Sequence, residues 1–121
     1  MEKVTSHLKV GREGEQIAEE YLRSLGYCIY DRNVRISRDE IDLIAFDSNE
    51  KVMIFADVKS RARFDPDFHP ELGLTPSKKE KLHRAASAWV VSHEYEGSYR
   101  VDAVCVVGRK VVEHIKELTT E

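Results

Sequence analysis

The chain has 121 residues, 41% of them apolar, and a formal charge of −3. It is long enough to bury one core and too apolar to remain disordered, so a single domain over residues 1–121 is expected. The charge excludes a molecule coated in positive potential, although acidic ligands around a site are able to mask a local basic face. The opening MEKVTSHLKV has no apolar leader core, and no segment approaches the roughly 18 apolar residues a membrane helix needs. The expectation is a soluble, cytoplasmic protein with no membrane contact.

In chain order, Val10, Ile17, Ala18, Tyr21, Leu22 and Leu25 recur at helical spacing. They predict a helix through VGREGEQIAEEYLRSLGY, stopped at Gly26. Gly11 and Gly14 fall on its apolar side, which points to close packing on a sheet despite a propensity cost of about 1 kcal/mol each. A strand from Tyr27 to Val34 follows. Two more, Glu40 to Phe46 and Lys51 to Lys59, are joined by the turn-like DSNE of Asp47 to Glu50.

A polar, proline-containing stretch from Ser60 to Leu74 holds Phe64 and Phe68. A second helix begins near Thr75, with Pro76 suited to its first turn and an apolar stripe of Leu82, Ala85, Ala86, Trp89 and Val90. Strands from Ser98 to Val107 and Lys110 to Ile115 complete an αβββαββ order, an α/β fold with a mixed sheet flanked by helices. Cys28 and Cys105 lie in strand-like segments without a CxxC-type partner and read as buried thiols rather than as a disulfide or metal site.

Chemistry concentrates on the hairpin of the second and third strands. Asp42 in DEIDLIAF, and Asp57 and Lys59 in VMIFADVKSR, interrupt segments that otherwise read as buried on both faces. Lone charges there cost several kcal/mol unless paired or bound to a cation. A tight turn centred on Asn49 and Glu50 sets Asp42 opposite Asp57, Ile44 opposite Phe55 and Phe46 opposite Met53. Lys59 then shares the face of Asp57, about 6.6 Å further along. A four-residue loop would instead pair Asp57 with Glu40, with Asp42 one step along the same face.

Facing carboxylates repel, and a divalent cation such as Mg²⁺ or Mn²⁺ resolves the repulsion. Such an ion activates water and neutralises phosphodiester charge, with Lys59 orienting the water or stabilising the developing charge. The plainer alternative is a strand-edge ion pair of Asp57 and Lys59 worth under about 1 kcal/mol, because acid-any-Lys recurs by chance in so charged a chain.

GREGEQIAEEYL, RNVRISRDEIDLIAFD, IFADVKSR, a Lys-led helix and SYRVDAVCV, in this order, resemble the YraN family of small bacterial proteins. Their core is similar to that of archaeal Holliday-junction resolvases and the PD-(D/E)XK nuclease superfamily. The resemblance runs from about Val10 to Ile115 and implies a restriction-endonuclease-like αβββαβ core. By it, Glu15 matches the acid of the first helix, Asp42 the second-strand aspartate, and Asp57 with Lys59 the (D/E)XK pair. Glu15, Asp42 and Asp57 would then hold the metal. The family more often has Gly-Glu-Ile-Asp where this chain has Asp39-Glu40-Ile41-Asp42, and Glu-Val-Lys where it has Asp57-Val58-Lys59.

Other residues admit two readings each. Glu15 borders the apolar stripe and either leans toward the sheet or stays a solvated helix acid. Arg61, Arg63, Lys78, Lys79, Lys81 and Arg84 either contact phosphates or form a solvated face, and Arg61 and Lys78 are the stronger nucleic-acid candidates. Phe64 and Phe68 either stack on unpaired bases or tuck under their loop. His69 and His83 lack zinc-ligand spacing, and Trp89 reads as core. Asp102 either pairs with Arg100 or a neighbour, or supports the site from outside.

The leading expectation is a metal-dependent endonuclease acting on DNA, branched and structured forms included, and the resolvase likeness implies a homodimer. The alternatives are a non-cutting nucleic-acid-binding or scaffold module and a purely protein-interacting domain.

Overall fold

The computed structural model describes residues 2–61 and 74–119, with side chains from residue 11 onward. Its elements are α1 (Glu2–Ser24), β1 (Cys28–Ile36), β2 (Asp39–Asp47), β3 (Val52–Arg61), α2 (Pro76–Ser92), β4 (Ser98–Val107) and β5 (Lys110–Ile115). This is the expected αβββαββ order. The first helix starts at Glu2, eight residues before Val10. It ends at Ser24, where Gly26 takes the left-handed conformation (φ 91°) after the last turn.

The five strands form one sheet in sequential order. The β1–β2, β2–β3 and β4–β5 pairs are antiparallel, while β3 and β4 run parallel, with α2 as the intervening crossover. Thr75 caps α2 by accepting from the Lys78 amide at 3.2 Å, and Pro76 opens the helix. Among the described residues no helix is long and apolar enough to cross a membrane.

Each sheet face is covered by one helix. Ala18 and Leu22 of α1 pack with Leu43 and Ala45, Ile54 and Ala56, and Val104 and Val106. On the other face, Leu82, Ala85, Ala86 and Trp89 of α2 meet Ile44, Met53, Phe55, Val101 and Ala103. Strand residues thus alternate between two apolar layers, which is why the central strands read as continuous apolar runs.

Gly14 shows how closely α1 lies on the sheet. A Cβ there would stand 2.8 Å from the Ser60 Cβ and collide with its hydroxyl, whereas a Cβ at Gly11 would meet nothing within 4 Å. Close packing therefore explains Gly14 alone. Cys105 is buried as expected, but Cys28 is exposed, because β1 is an edge strand with its Cys28 end open to solvent.

Asp102 is fully buried on the α1 face. It accepts from Arg100 Nε at 3.0 Å and from the Glu117 amide at 3.2 Å, and it lies 2.8 Å from His114 Nε2. Arg100 also donates to the Tyr27 hydroxyl at 3.0 Å, and Tyr21 reaches His114 Nδ1 at 3.0 Å. Burial opposes the charge of Asp102, but the bonds from His114, Arg100 and Glu117 outweigh it and hold the carboxyl below the usual range. Of the two readings, pairing with Arg100 holds.

Two stability predictions follow from these contacts. Asp102→Ala leaves the Arg100 charge buried and unpaired, so urea titration should show a loss of about 3–5 kcal/mol. Gly14→Ala should cost about 1–3 kcal/mol through overpacking, and Ser60→Gly in the same chain should restore most of it.

Candidate functional site

The register of β2 and β3 is the tight-turn one: Ile44 pairs with Phe55, Phe46 with Met53 and Asp47 with Val52. Asp47, though buried, is satisfied by the turn, accepting from the Asn49 amide at 3.0 Å. The ladder stops at Leu43–Ala56, one step before Asp42 and Asp57 would face each other. Alternation slips at the same place, since Ile41 and Ile44 both pack toward α2 while Leu43 packs toward α1. Asp42 sits at this slip, and its Oδ2 accepts the Val58 amide at 2.8 Å, a side chain taking the donor from the neighbouring strand.

Burial is the main cause that pushes the Asp42 carboxyl up to about 7. The Val58 amide works against this, while the charges of Asp57 and Glu15 and a hydrogen bond shared with Asp57 add to it. Asp57 is also ion-paired with Lys59 at 3.1 Å, both side chains being about a quarter exposed. Asp57 therefore contacts both Asp42 and Lys59 and links the three residues.

Glu15, half-buried on α1, follows Gly14 directly and feels the charges of Glu40 and Asp57. Burial raises its carboxyl, and a hydrogen bond with Asn33 partly offsets this. Asn33 adopts a left-handed conformation (φ 52°) within β1. It was not singled out from the sequence, although an Asn inside an apolar-patterned strand is a recognisable signal for that conformation.

Two clefts are lined by carboxylates of this group, Glu15 in one and Asp57 in the other. Glu15 and Asn33 line one of about 370 Å³ on the α1 side. Asp57 and Lys59 line another of about 310 Å³, together with Lys78. Among the described residues no three His, Cys, Asp or Glu side chains converge as a metal-ligand set. The tight unit is the Asp42–Asp57 pair, with Glu15 reaching it through its charge. Hard carboxylate oxygens in a proton-sharing pair fit Mg²⁺ or Mn²⁺, which need only one or two such ligands besides water and phosphate.

The basic candidates divide. The Lys59 ammonium beside Lys78 lowers the Lys78 pKa, with burial and Arg61 acting the same way. Arg61 is exposed and donates to its own Ser60 carbonyl at 2.8 Å. Arg84 grips Asp39 through two bonds of 2.8 Å and is spoken for, as the solvated-face reading has it in part. His83 contacts the Leu118 carbonyl at 2.7 Å, and Trp89 is core, only 3% exposed. Asp102 lies in its own network and not with these residues. Arg63, Phe64, Phe68 and His69 lie outside the described residues.

Comparison with known proteins adds a family. The model of "Uncharacterised protein family UPF0102" matches residues 14–106. A UPF0102 protein of Pseudarthrobacter chlorophenolicus is 40% identical over 112 residues, covering 88% of this chain and 83% of that protein. One of Cytophaga hutchinsonii is 35% identical over 113 residues, covering 93% and 97%. One of Chlorobium limicola is 37% identical over 99 residues, covering 81% and 74%.

The Asp42 environment gives a pH prediction. An unfolded aspartate titrates near about 4, so the folded chain binds the extra proton between about 4 and 7. The stability that Asp42 contributes is full below that window and is lost as pH rises through it. In metal-free buffer, Asp42→Asn should therefore gain in Tm relative to wild type as pH rises from about 4 to 7, as read by thermal melts at each pH.

Proposed function

The chain belongs to the uncharacterised protein family UPF0102, and from the Asp42–Asp57 pair beside Lys59 we propose that it is a divalent-metal-dependent endonuclease hydrolysing phosphodiester bonds in DNA. The observation that carries this reading is the half-buried, hydrogen-bonded Asp42–Asp57 pair at the point where β2 and β3 part. The resemblance to the YraN family and the PD-(D/E)XK superfamily supports it, because Asp42, Asp57 and Lys59 stand at the motif positions. The reading also places the protein in the cytoplasm, where DNA is its partner, and allows two copies to act on two strands.

Mg²⁺ or Mn²⁺ would supply water activation and neutralisation of phosphate charge at this site. Asp42 and Asp57 would hold it, and Glu15 would add negative charge from the helix side. Burial and the Asp57 charge bring the Asp42 carboxyl to about 7, and a cation held there would favour its ionised form. The Val58 amide fixes Asp42 Oδ2, so the carboxylate keeps its aim. Lys59 stays within 3.1 Å of Asp57 and so presents its ammonium where negative charge develops on the phosphate. Lys78 and Arg61 neutralise neighbouring phosphates and fix the register of the strand.

A non-catalytic nucleic-acid-binding module is the second reading. It is favoured by the Lys59–Asp57 ion pair, in which the Lys59 ammonium satisfies Asp57 without a metal ion.

Cleavage of single-stranded, duplex and branched DNA with Mg²⁺ or Mn²⁺ separates the two. Wild type should cut, and Asp57→Asn and Lys59→Ala should each lower the rate by about 10²–10³. Binding without turnover on every substrate would establish the second reading, and cutting indifferent to both variants would expose a contaminant. Independently, either ion should raise the Tm of wild type, and Asp42→Asn should lose that rise.

A further inference from the structure

The cleft that opens on Asp57 and Lys59 has a composition that hydrolysis alone does not require. Arg38, Lys78, Lys79 and Lys81 supply four cations to its lining, in a chain whose overall balance is −3. Of its three acids, Asp39 is held by Arg84 and Asp57 by Lys59, and Glu40 is left against the four cations, so the lining is locally positive. Lys59 and Lys78 line this cleft together, the Lys59 charge lowers the Lys78 pKa with Asp57 only partly offsetting it, and a further anion near both would relieve the repulsion. Beneath this rim lie Leu74, Leu82 and Leu118.

A cationic rim over an apolar floor matches a group with one charged end and one flat, apolar-faced body. The cleft volume of about 310 Å³ lies at the small end of ligand pockets, which run from roughly 300 to 1,000 Å³. That suits one nucleotide unit and not the width of a double helix. Bases inside a duplex are stacked and paired, so a duplex would offer the rim its phosphates and leave the leucine floor uncovered. An unpaired nucleotide is free to splay its base onto such a floor while its phosphate meets the cations.

The geometry points to this cleft as a subsite for one unpaired nucleotide, with its phosphate between Lys59 and Lys78 and its base on Leu74, Leu82 and Leu118. This deepens the nuclease reading and rests on it. It defines the substrate class as nucleic acid that is single-stranded, flapped or frayed beside the scissile phosphate, as opposed to continuous duplex.

The test is binding of the full chain in chelator, where no metal-dependent cutting occurs, read by fluorescence anisotropy. The probes are a labelled oligonucleotide of about 12 nucleotides, a blunt duplex of the same length and an abasic strand of the same length. The intact single strand should bind at least about tenfold tighter than either of the others. Lys79→Glu and Lys81→Glu should each weaken single-strand binding and lower the salt slope by about one, with Tm unchanged. Leu118→Asn should remove the advantage over the abasic strand, and the two lysine variants keep the test decisive should that chain not fold.

Equal affinity for strand and duplex, or for intact and abasic strands, overturns the subsite. Single-strand preference without cleavage under any metal condition retires hydrolysis and leaves the subsite standing. Cleavage that treats duplex and single strand alike does the reverse.

Discussion

The bond from the Val58 amide to the Asp42 carboxylate is the constraint on which the site depends. Where β2 and β3 separate, β3 would otherwise carry a polar amide into a half-buried gap, at a cost of about 1–3 kcal/mol. Asp42 fills the role of a strand carbonyl there, and so its own charge is drawn into the gap. One amide is too little to offset burial and the negative charge of Asp57, so the carboxyl stays well above the usual aspartate range. The pair opens through Asp57 onto the cleft that Lys59 and Lys78 also line.

Asp42 and Asp102 show how one residue type acquires opposite characters within one sheet. Asp102 is fully buried, yet donors on Arg100, His114 and the Glu117 backbone satisfy it and keep it ionised. Asp42 is less buried but has one backbone donor and an acidic neighbour. The first arrangement ties α1, β4, β5 and the residues after β5 together. The second leaves a group whose state is set by whatever cation or proton comes near it, which is the condition expected of a working site.

Element order and hairpin register were legible in the sequence because alternation and turn chemistry are local. Ile44 opposite Phe55 and Phe46 opposite Met53 follow from counting back from Asn49 and Glu50, and both pairs are observed. The end of the ladder was not legible, because it depends on Asp42 competing with backbone acceptors. Of the partners of Asp102, Arg100 was legible two residues away, but His114 and Glu117 were not, since the fold of β5 and the residues that follow bring them to it. Gly14 and Gly11 look alike in the sequence, and only the angle at which α1 crosses Ser60 tells them apart. Whether Glu15 leaned inward was likewise a question for the hydrogen bond with Asn33, a residue from another element.

The left-handed turn of backbone at Asn33 has a further effect, on the rim of the sheet. β1 is an outer strand, broken in register between Ile29 and Asp31 and then bent at Asn33, with Asp31, Arg32 and Arg35 turned to solvent. A stray chain seeking to zip onto it would find a crooked, charge-studded border instead of a straight row of amides. At the opposite border β5 is only six residues long. Growth of the sheet from molecule to molecule is thereby discouraged at both margins, and twin copies would have to meet through helices or loops.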